Sequence, residues 1–220
     1  MKFVTEKVKI VESLQNAAAV AERRQTIPIL ANLRLKIIDG RLEVTATDLE
    51  IQIKTFSDLL EIKEEGETTV SARKMSELCR SLPDNENVEF SLDNGKLSVS
   101  SRNFNADFAT ISSDDFPEIE INEEQIPISI DSAKFKRVLS KTSFSMASQD
   151  VRYYLNGMLL EIGAGKINGV ATDGHRLAFS SVEAASTELE TRNILPRKAV
   201  LELAKVLSSN DESIELLIGA

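Results

Sequence analysis

Apolar residues recur at two different spacings along the chain, and these spacings predict distinct helices and strands. Near the N-terminus they follow the three- and four-residue steps of one helical face, at Val8, Val11, Leu14, Ala18 and Ala21. Thr5 is the predicted N-cap of this helix, and Asp131 is the predicted N-cap of a similar helix further along. A second helical segment, SARKMSELCRSL, is ended by Pro83.

Shorter segments alternate between apolar and polar residues and predict antiparallel strands. LRLKII and RLEVTAT flank Asp39-Gly40, a dipeptide typical of a tight β-hairpin. VEFSL, KLSVSS and FNADFATI predict a meander, with Phe104, Ala106 and Phe108 on one face of its last strand. Because the strands cluster without a βαβ rhythm, the predicted fold class is α+β, with two helices packed on antiparallel sheet.

This pattern of helices and strands occurs twice in the sequence, with an offset of about 125 residues. NLRLKIIDGRLEVTATD from Asn32 corresponds to NGMLLEIGAGKINGVATD from Asn156, and Arg73-Lys74 corresponds to Arg197-Lys198. The repeat predicts two domains, residues 1–123 and 124–220, joined by the acidic segment SDDFPEIEINEEQIPISI as an extended linker. The second copy has no counterpart to the closing strands of the first, so we expect it to be truncated and to lack its last hairpin.

Charge is distributed by element type. The whole chain carries −9, but the four predicted helical segments carry net charges of +1, +2, +3 and +2. Lys134, Arg137 and Lys141 also fall on one side of their helix. A solvated helix face is the simpler explanation for any one helix. Four helices with the same bias favour a concave, helix-lined surface that attracts phosphates without reading base sequence.

The remaining composition excludes several classes of site. Cys79 is the only cysteine and His175 the only histidine, which argues against a disulfide or a zinc site, and we expect no metal or cofactor. The chain shows neither a signal-peptide core nor an apolar run long enough to span a membrane. We therefore expect a soluble, cytoplasmic protein with no membrane association.

The segment VATDGHRLAF raises the question of whether Asp173 and His175 form part of a hydrolase site. No motif supplies a Ser or Cys nucleophile for them. The Ala-Thr-Asp sequence also occurs in the first copy. We therefore expect Thr47-Asp48 and Thr172-Asp173 each to end a strand, with the Asp side chain binding backbone amides of the following turn.

The sequence also resembles a known family. MKFVTE, PILANL, TATDLEI, ARK, FSMASQDVRYYLNGMLLE and VATDGHRLA resemble segments of the bacterial sliding clamp, the β subunit of DNA polymerase III, and the likeness covers all 220 residues. The resemblance implies three similar domains per subunit, of which the third is absent here. In the family, two subunits close head to tail into a ring around double-stranded DNA, with helices lining the hole.

The resemblance further implies a replication processivity factor without catalytic activity. Such a ring is placed on DNA by a clamp loader and tethers the DNA polymerase III core and other proteins that carry a clamp-binding peptide. Its peptide pocket corresponds here to Leu155, Thr172, Gly174, His175, Arg176 and Leu177. Residues beyond position 220 complete that pocket in the family.

The other family roles concern DNA and ring closure. The DNA-facing loops correspond to Arg24, Gln149, Tyr153 and Tyr154. The basic positions of the inner helices correspond to Arg73, Lys74, Arg137, Lys141, Arg197 and Lys198. The edge of the homodimer interface corresponds to the strand with Phe104, Ala106 and Phe108, where Ala106 is smaller than expected. We expect no closed ring from this chain, since the partner surface belongs to the third domain.

Two readings stay open at this point. Tyr153 and Tyr154 are placed either to stack on the bases of a single strand or to pack within the sheet. The chain as a whole is either part of a DNA-encircling clamp or a peptide-binding adaptor without DNA contact. The adaptor hypothesis leaves the positive charge of the helices unexplained.

Overall fold

The chain folds into two compact units, Met1–Ile119 and Glu120–Ala220. The computed structural model describes residues 1–21, 27–102, 104–119, 124–184, 190–207 and 213–219. Each unit contains two α-helices and antiparallel sheet, which confirms the α+β fold class.

Within the described residues, the first unit contains two α-helices and nine strands. The helices are α1 (Lys7–Ala18) and α2 (Ala72–Ser81). The strands are β1 (Lys2–Glu6), β2 (Asn32–Ile38), β3 (Arg41–Thr47), β4 (Gln52–Asp58), β5 (Glu61–Glu64), β6 (Glu67–Ser71), β7 (Asn87–Asp93), β8 (Lys96–Ser101) and β9 (Phe104–Ile111). They form one sheet in the order β4-β3-β2-β6-β9-β8-β7-β1-β5.

Four of the five residues predicted for one face of helix α1 pack against the core, Val11, Leu14, Ala18 and Ala21, but Val8 does not. Ile10, Leu14 and Ala17 are fully buried, whereas Val8 is 57% exposed. The predicted N-cap is also wrong. Thr5 lies within β1 opposite Val88, and its hydroxyl donates to the carbonyl of Asp58 at 3.1 Å, because β1 runs directly into the helix.

The predicted turn and meander of the first unit are confirmed. Asp39 and Gly40 both have positive φ, 49° and 74°, as a two-residue hairpin between β2 and β3 requires. β7, β8 and β9 pair antiparallel in sequence order. Phe104, Ala106 and Phe108 face the same side, opposite Ser101, Val99 and Leu97.

The end of the first unit is held against its sheet through Arg34, which is also a member of a buried ion pair. Arg34 donates to Glu43 at 3.2 Å, with only 8% and 9% of the two side chains exposed. The same guanidinium binds Glu118 and lies 5.4 Å from the centre of the Phe116 ring. Gln52 accepts a hydrogen bond from the backbone of Ile119 at 3.1 Å. These contacts hold residues 116–119 against β2 and β4.

The second unit repeats this topology. Its helices are α3 (Ser132–Thr142) and α4 (Arg197–Val206). Its strands are β10 (Gln125–Ile130), β11 (Gly157–Gly163), β12 (Lys166–Thr172), β13 (Leu177–Glu183), β14 (Thr191–Pro196) and β15 (Ile214–Gly219). The order β13-β12-β11-β14 matches β4-β3-β2-β6, and β10 pairs with β15 as β1 pairs with β7. This correspondence confirms the internal repeat.

Two local predictions in the second unit had different outcomes. Asp131 caps α3 by accepting from the backbone of Lys134 at 2.8 Å, as predicted. The segment expected to be an extended linker is in part a strand, since residues 125–130 form β10. Pro127 is tolerated there because β10 pairs on one side only within the described residues.

Buried and apolar features complete the fold. Cys79 is fully buried in the first core, and burial raises the pKa of its thiol to about 12. The thiol therefore acts as a small apolar group. None of the helices described is long and apolar enough to cross a membrane.

Candidate functional site

The Thr172-Asp173 turn holds the central residues of the predicted peptide site. The Thr172 hydroxyl accepts from the Gly174 amide at 3.1 Å and donates to the Arg176 carbonyl at 2.7 Å. Asp173 Oδ1 accepts from the amides of His175 and Arg176, each at 3.0 Å, and Oδ2 accepts from Arg176 Nε at 2.9 Å. Five polar contacts thus fix this loop between β12 and β13.

The first unit contains the same turn. Thr47 bonds to the amide of Leu49 and the carbonyl of Ile51, and Asp48 accepts from the amides of Glu50 and Ile51. The predicted role of both Thr-Asp pairs is therefore confirmed. Leu49 has φ 78°, and Gly174, at the equivalent position, has φ 89°.

The ionised state of Asp173 is part of this turn. Hydrogen bonds from the His175 amide, then from the Arg176 amide and guanidinium, hold the Asp173 pKa at about 2. The pKa of Asp173 is lower in the folded protein than in the unfolded chain. The carboxylate therefore stabilises the turn fully at pH values above its unfolded pKa of about 3.9. This contribution is lost as the pH falls toward the folded pKa of about 2.

We expect the Asp173 side-chain carbon resonance to titrate with a midpoint near pH 2 in an acid NMR titration. The amide resonances of His175 and Arg176 should move in the same step, because they donate to this carboxylate. Asp173→Asn, which retains an acceptor oxygen, is the control and should abolish the step. A midpoint at the ordinary Asp value of about 3.9 would contradict the turn geometry.

His175 shows no arrangement for nucleophilic catalysis. The residue is exposed, and its backbone N–H is bound to Asp173. Among the described residues, no Ser or Cys side chain hydrogen-bonds to the imidazole. The geometry therefore gives no support to the hydrolase hypothesis.

A second loop, residues 144–155, contains the predicted single-strand contacts. The Asn156 side chain accepts from the Asp150 amide at 2.9 Å and donates to the Asp150 carbonyl at 2.8 Å, which fixes the loop at its centre. Tyr153 and Tyr154 follow in a short 3-10 turn and are 81% and 51% exposed. The alternative that they pack within a strand is wrong, because buried Leu155 anchors the turn instead.

The two loops contact each other through a pair of arginines. Arg152 is held by Asp150, with Nε–Oδ1 3.0 Å and Nη2–Oδ2 2.9 Å. Its Nη2 would lie 3.2 Å from a Cβ atom at Gly174. Reciprocally, the Arg176 guanidinium lies 5.8 Å from the centre of the Phe144 ring. The structure therefore brings the predicted peptide loop and the predicted single-strand loop together.

Apolar groups are exposed beside this contact. Leu177, at the start of β13, is 65% exposed, and Phe144 is 57% exposed. Leu155, also assigned to the peptide site, is only 9% exposed and offers its carbonyl to the amide of Ala147. Of the two leucines predicted for the peptide site, Leu177 is thus the accessible one. Leu155 is buried and stabilises the loop of residues 144–155.

Four of the residues predicted to contact duplex DNA lie on the solvent-exposed faces of α2 and α3. Arg73 and Lys74 are exposed, although Arg73 pairs with Glu77 at 2.9 Å. On α3, Lys134, Arg137 and Lys141 are all exposed, while the opposite face buries Phe135, Val138 and Leu139. The α3 row is the clearest basic face among the described helices.

Helix α4 is less basic than its sequence suggested. Arg197 donates to the carbonyl of Met146 at 3.0 Å, and Lys205 pairs with Glu202 at 2.7 Å. Arg197 and Lys198 nevertheless line a groove of about 400 Å³ together with Gln149. This groove brings three of the predicted DNA-contacting residues to one place.

Helix α1 contributes little positive charge to its surface. Lys7 is buried and paired with Asp84, and Lys9 pairs with Glu6 at 3.6 Å. Arg24 lies outside the described residues. The count of charges along the sequence therefore overstated the basic character of this helix, because it did not distinguish inward from outward side chains.

The predicted interface strand, β9, has a largely open edge. It pairs fully with β8, but with β6 only through Thr110 and Ile111. Within the described residues, the other backbone edge of residues 104–109 has no strand partner. Phe104 is 39% exposed, whereas Phe108 packs against the core of its own unit.

Sequence reasoning missed Arg152, Phe144 and Asn156. Arg152 and Asn156 lie inside the segment QDVRYYLNGML, which carries the family resemblance. The motif itself does not specify which residues their side chains contact. The repeat offered one signal, because Asn156 corresponds to Asn32, whose amide also makes a buried hydrogen bond, to Thr69 at 3.0 Å.

Comparison with known proteins gives consistent matches along the chain. Residues 1–120 match the family described as "DNA polymerase III beta subunit, N-terminal domain", and residues 129–220 match "DNA polymerase III beta subunit, central domain". The beta sliding clamps of Pseudomonas aeruginosa and Escherichia coli are 39% and 38% identical, over 220 residues in each case. Each alignment covers 100% of this chain and 60% of the relative.

Solved structures agree with this assignment. The sliding clamp of Pseudomonas aeruginosa bound to griselimycin matches with a TM-score of 0.94 and 40% identity, and that of Bacillus subtilis with 0.93 and 27%. Both alignments cover 100% of this chain and 60% of the solved chain. Because two consecutive domain families match in order over nearly the whole sequence, this chain belongs to the DNA polymerase III beta subunit family.

Proposed function

We propose that this chain functions as part of a DNA sliding clamp, a non-catalytic, cytoplasmic replication factor that encircles duplex DNA as a homodimer. It tethers DNA polymerase and repair proteins to the duplex. The proposal assigns residues 1–123 and 124–220 to two clamp domains. The observation that carries it is the row Lys134, Arg137 and Lys141, which faces solvent on α3 in a chain of net charge −9.

The electrostatic reason is general. Arg137 and Lys141 are like charges one helical turn apart, an arrangement that costs a few tenths of a kcal/mol in an isolated helix. A polyanion removes this cost, since each phosphate contact releases condensed counterions. Such contacts position a protein on DNA without reading the sequence, as a sliding protein requires.

The peptide site of the proposal is the exposed surface formed by Leu177, Thr172 and the Gly174–Arg176 turn. An apolar side chain with hydrogen-bonding groups at its rim suits a Leu or Phe anchor of a short linear peptide. Phe104 and the open edge of β9 are the proposed subunit interface, where a partner strand would satisfy the free backbone groups.

We expect the 220-residue chain to bind a short fluorescein-labelled duplex weakly and in a strongly salt-dependent manner. With about five phosphate contacts, the logarithm of the association constant should fall with a slope near −4.5 against the logarithm of salt concentration. Fluorescence anisotropy between about 50 and 200 mM salt measures this slope. Duplexes of unrelated sequence should give the same result.

A binding constant that does not change with salt would contradict nonspecific phosphate contact. No duplex binding at low salt, combined with peptide binding at Leu177, would instead favour the adaptor function.

A further inference from the structure

The contact between Arg152 and Gly174 joins two surfaces that the proposed function treats separately. Arg152 belongs to the loop with Tyr153 and Tyr154, yet its guanidinium lies against the turn that contains His175. Asp150 holds this guanidinium through two side-chain contacts and also accepts from the Arg152 amide at 2.8 Å. The Arg152 side chain is 49% exposed, so a ligand in solvent can reach it.

The first unit shows that the turn does not itself require glycine. Leu49 occupies the position equivalent to Gly174, with φ 78° against 89° and the same Thr-Asp hydrogen bonds. Glycine relieves the strain of a positive φ at position 174, and it also leaves room for the Arg152 guanidinium, since a Cβ atom would come within 3.2 Å of Nη2.

Arg152 covers part of the proposed peptide site in this arrangement. A peptide that packs against Gly174 has to displace the guanidinium. A phosphate of a single strand stacked on Tyr153 competes with Asp150 for the same group, because carboxylate and phosphate both accept bidentate hydrogen bonds from arginine. A guanidinium drawn to such a phosphate would leave Gly174 uncovered.

We propose that Arg152 closes the peptide site beside Gly174 in the free protein, and that single-stranded DNA bound at Gln149–Tyr154 opens it by drawing the guanidinium to a phosphate. This inference rests on the proposed function. Both ligands select the conformation in which Arg152 has left Gly174, so each strengthens the binding of the other by the same factor. Arg152 is then a positioning residue that couples DNA binding to peptide binding.

The test is a thermodynamic cycle on the ¹⁵N-labelled 220-residue chain, followed by NMR chemical shifts. The probes are an oligothymidylate and a short peptide with adjacent Leu and Phe. In the wild type, saturating oligothymidylate should lower the peptide Kd by about fivefold or more, the usual range of such coupling. In Arg152→Ala the peptide should bind more tightly without DNA, and the coupling factor should fall to about 1.

Arg192→Ala is the matched control, because Arg192 is also an exposed arginine of the second unit paired with a carboxylate, Glu161 at 2.9 Å. It should retain the wild-type coupling. A wild-type coupling factor of 1 with both ligands bound, a peptide Kd raised by DNA, or unchanged coupling in Arg152→Ala would each overturn the role of Arg152. If neither ligand shifts resonances in residues 149–154 and 172–177, the proposed function itself fails, and the Arg152 inference fails with it.

Discussion

Arg34→Met should destabilise the first unit by about 3–5 kcal/mol, the cost of removing one partner of a buried ion pair. Glu43 would remain only 9% exposed, with Thr45 at 3.1 Å as its remaining side-chain partner. Glu118 and Phe116 would lose their contacts with the guanidinium, so residues 116–119 should be held less firmly, with Gln52 and Lys54 as their remaining polar partners on the sheet among the described residues. Urea unfolding followed by circular dichroism measures the free energy of unfolding.

The double variant Arg34→Met/Glu43→Leu separates the ion pair from the lost packing. Replacing both charges leaves no uncompensated buried carboxylate, since Glu118 is 44% exposed and keeps Lys54 at 3.6 Å, so most of the stability should return. Lys36→Met is the matched control on the same strand, since its 3.7 Å pair with Glu67 is exposed and should contribute under about 1 kcal/mol. If Arg34→Met and Lys36→Met were equally stable, the buried pair would contribute nothing particular to the fold.

Reversing three helix charges should weaken duplex binding on the order of a hundredfold at low salt, because each lost phosphate contact removes its counterion release. The variant is Lys74→Glu/Arg137→Glu/Lys141→Glu. All three side chains are exposed, and a Glu at position 74 lies three residues after the Ser71 cap, where it favours the helix start. The fold should therefore survive, and circular dichroism checks it.

A second triple variant controls for net charge. Lys96→Glu/Lys166→Glu/Arg192→Glu changes the charge by the same amount, but these exposed residues lie on strands. It should lose far less affinity than the helix variant, and its salt slope should stay close to that of the wild type. Equal losses in both variants would show that only the total charge matters, and the helix faces would then not be the DNA-binding surface.

Some features of the fold were accessible from the sequence because they depend on neighbouring residues. The Asp39-Gly40 hairpin follows from the positive φ angles that these two residues tolerate. The Asp131 cap and both Thr-Asp turns follow from side chains that reach backbone groups two to four residues away. The repeat allowed each of these interpretations to be checked against a second copy.

Other features depended on contacts between distant residues. Val8 lies on a helix whose inner face is chosen by the sheet beneath it, and the three- and four-residue spacing fits two neighbouring faces. Lys7 was counted in the net charge of its helix, yet its side chain is buried and pairs with Asp84, 77 residues later. A charge count from sequence does not tell which way a side chain points. It therefore overstated the positive charge on the surface of α1, and it did not show that the row on α3 is the clearest basic face.

The sequence by itself determined the α+β class, the duplicated topology, the local turns and the family, because each is specified by spacing, propensity or motif. Only the tertiary structure decided which basic side chains face solvent. It also decided which strand edge is open and that Arg152 lies on Gly174. These outcomes depend on packing between segments that are far apart along the chain, and no local pattern specifies that packing.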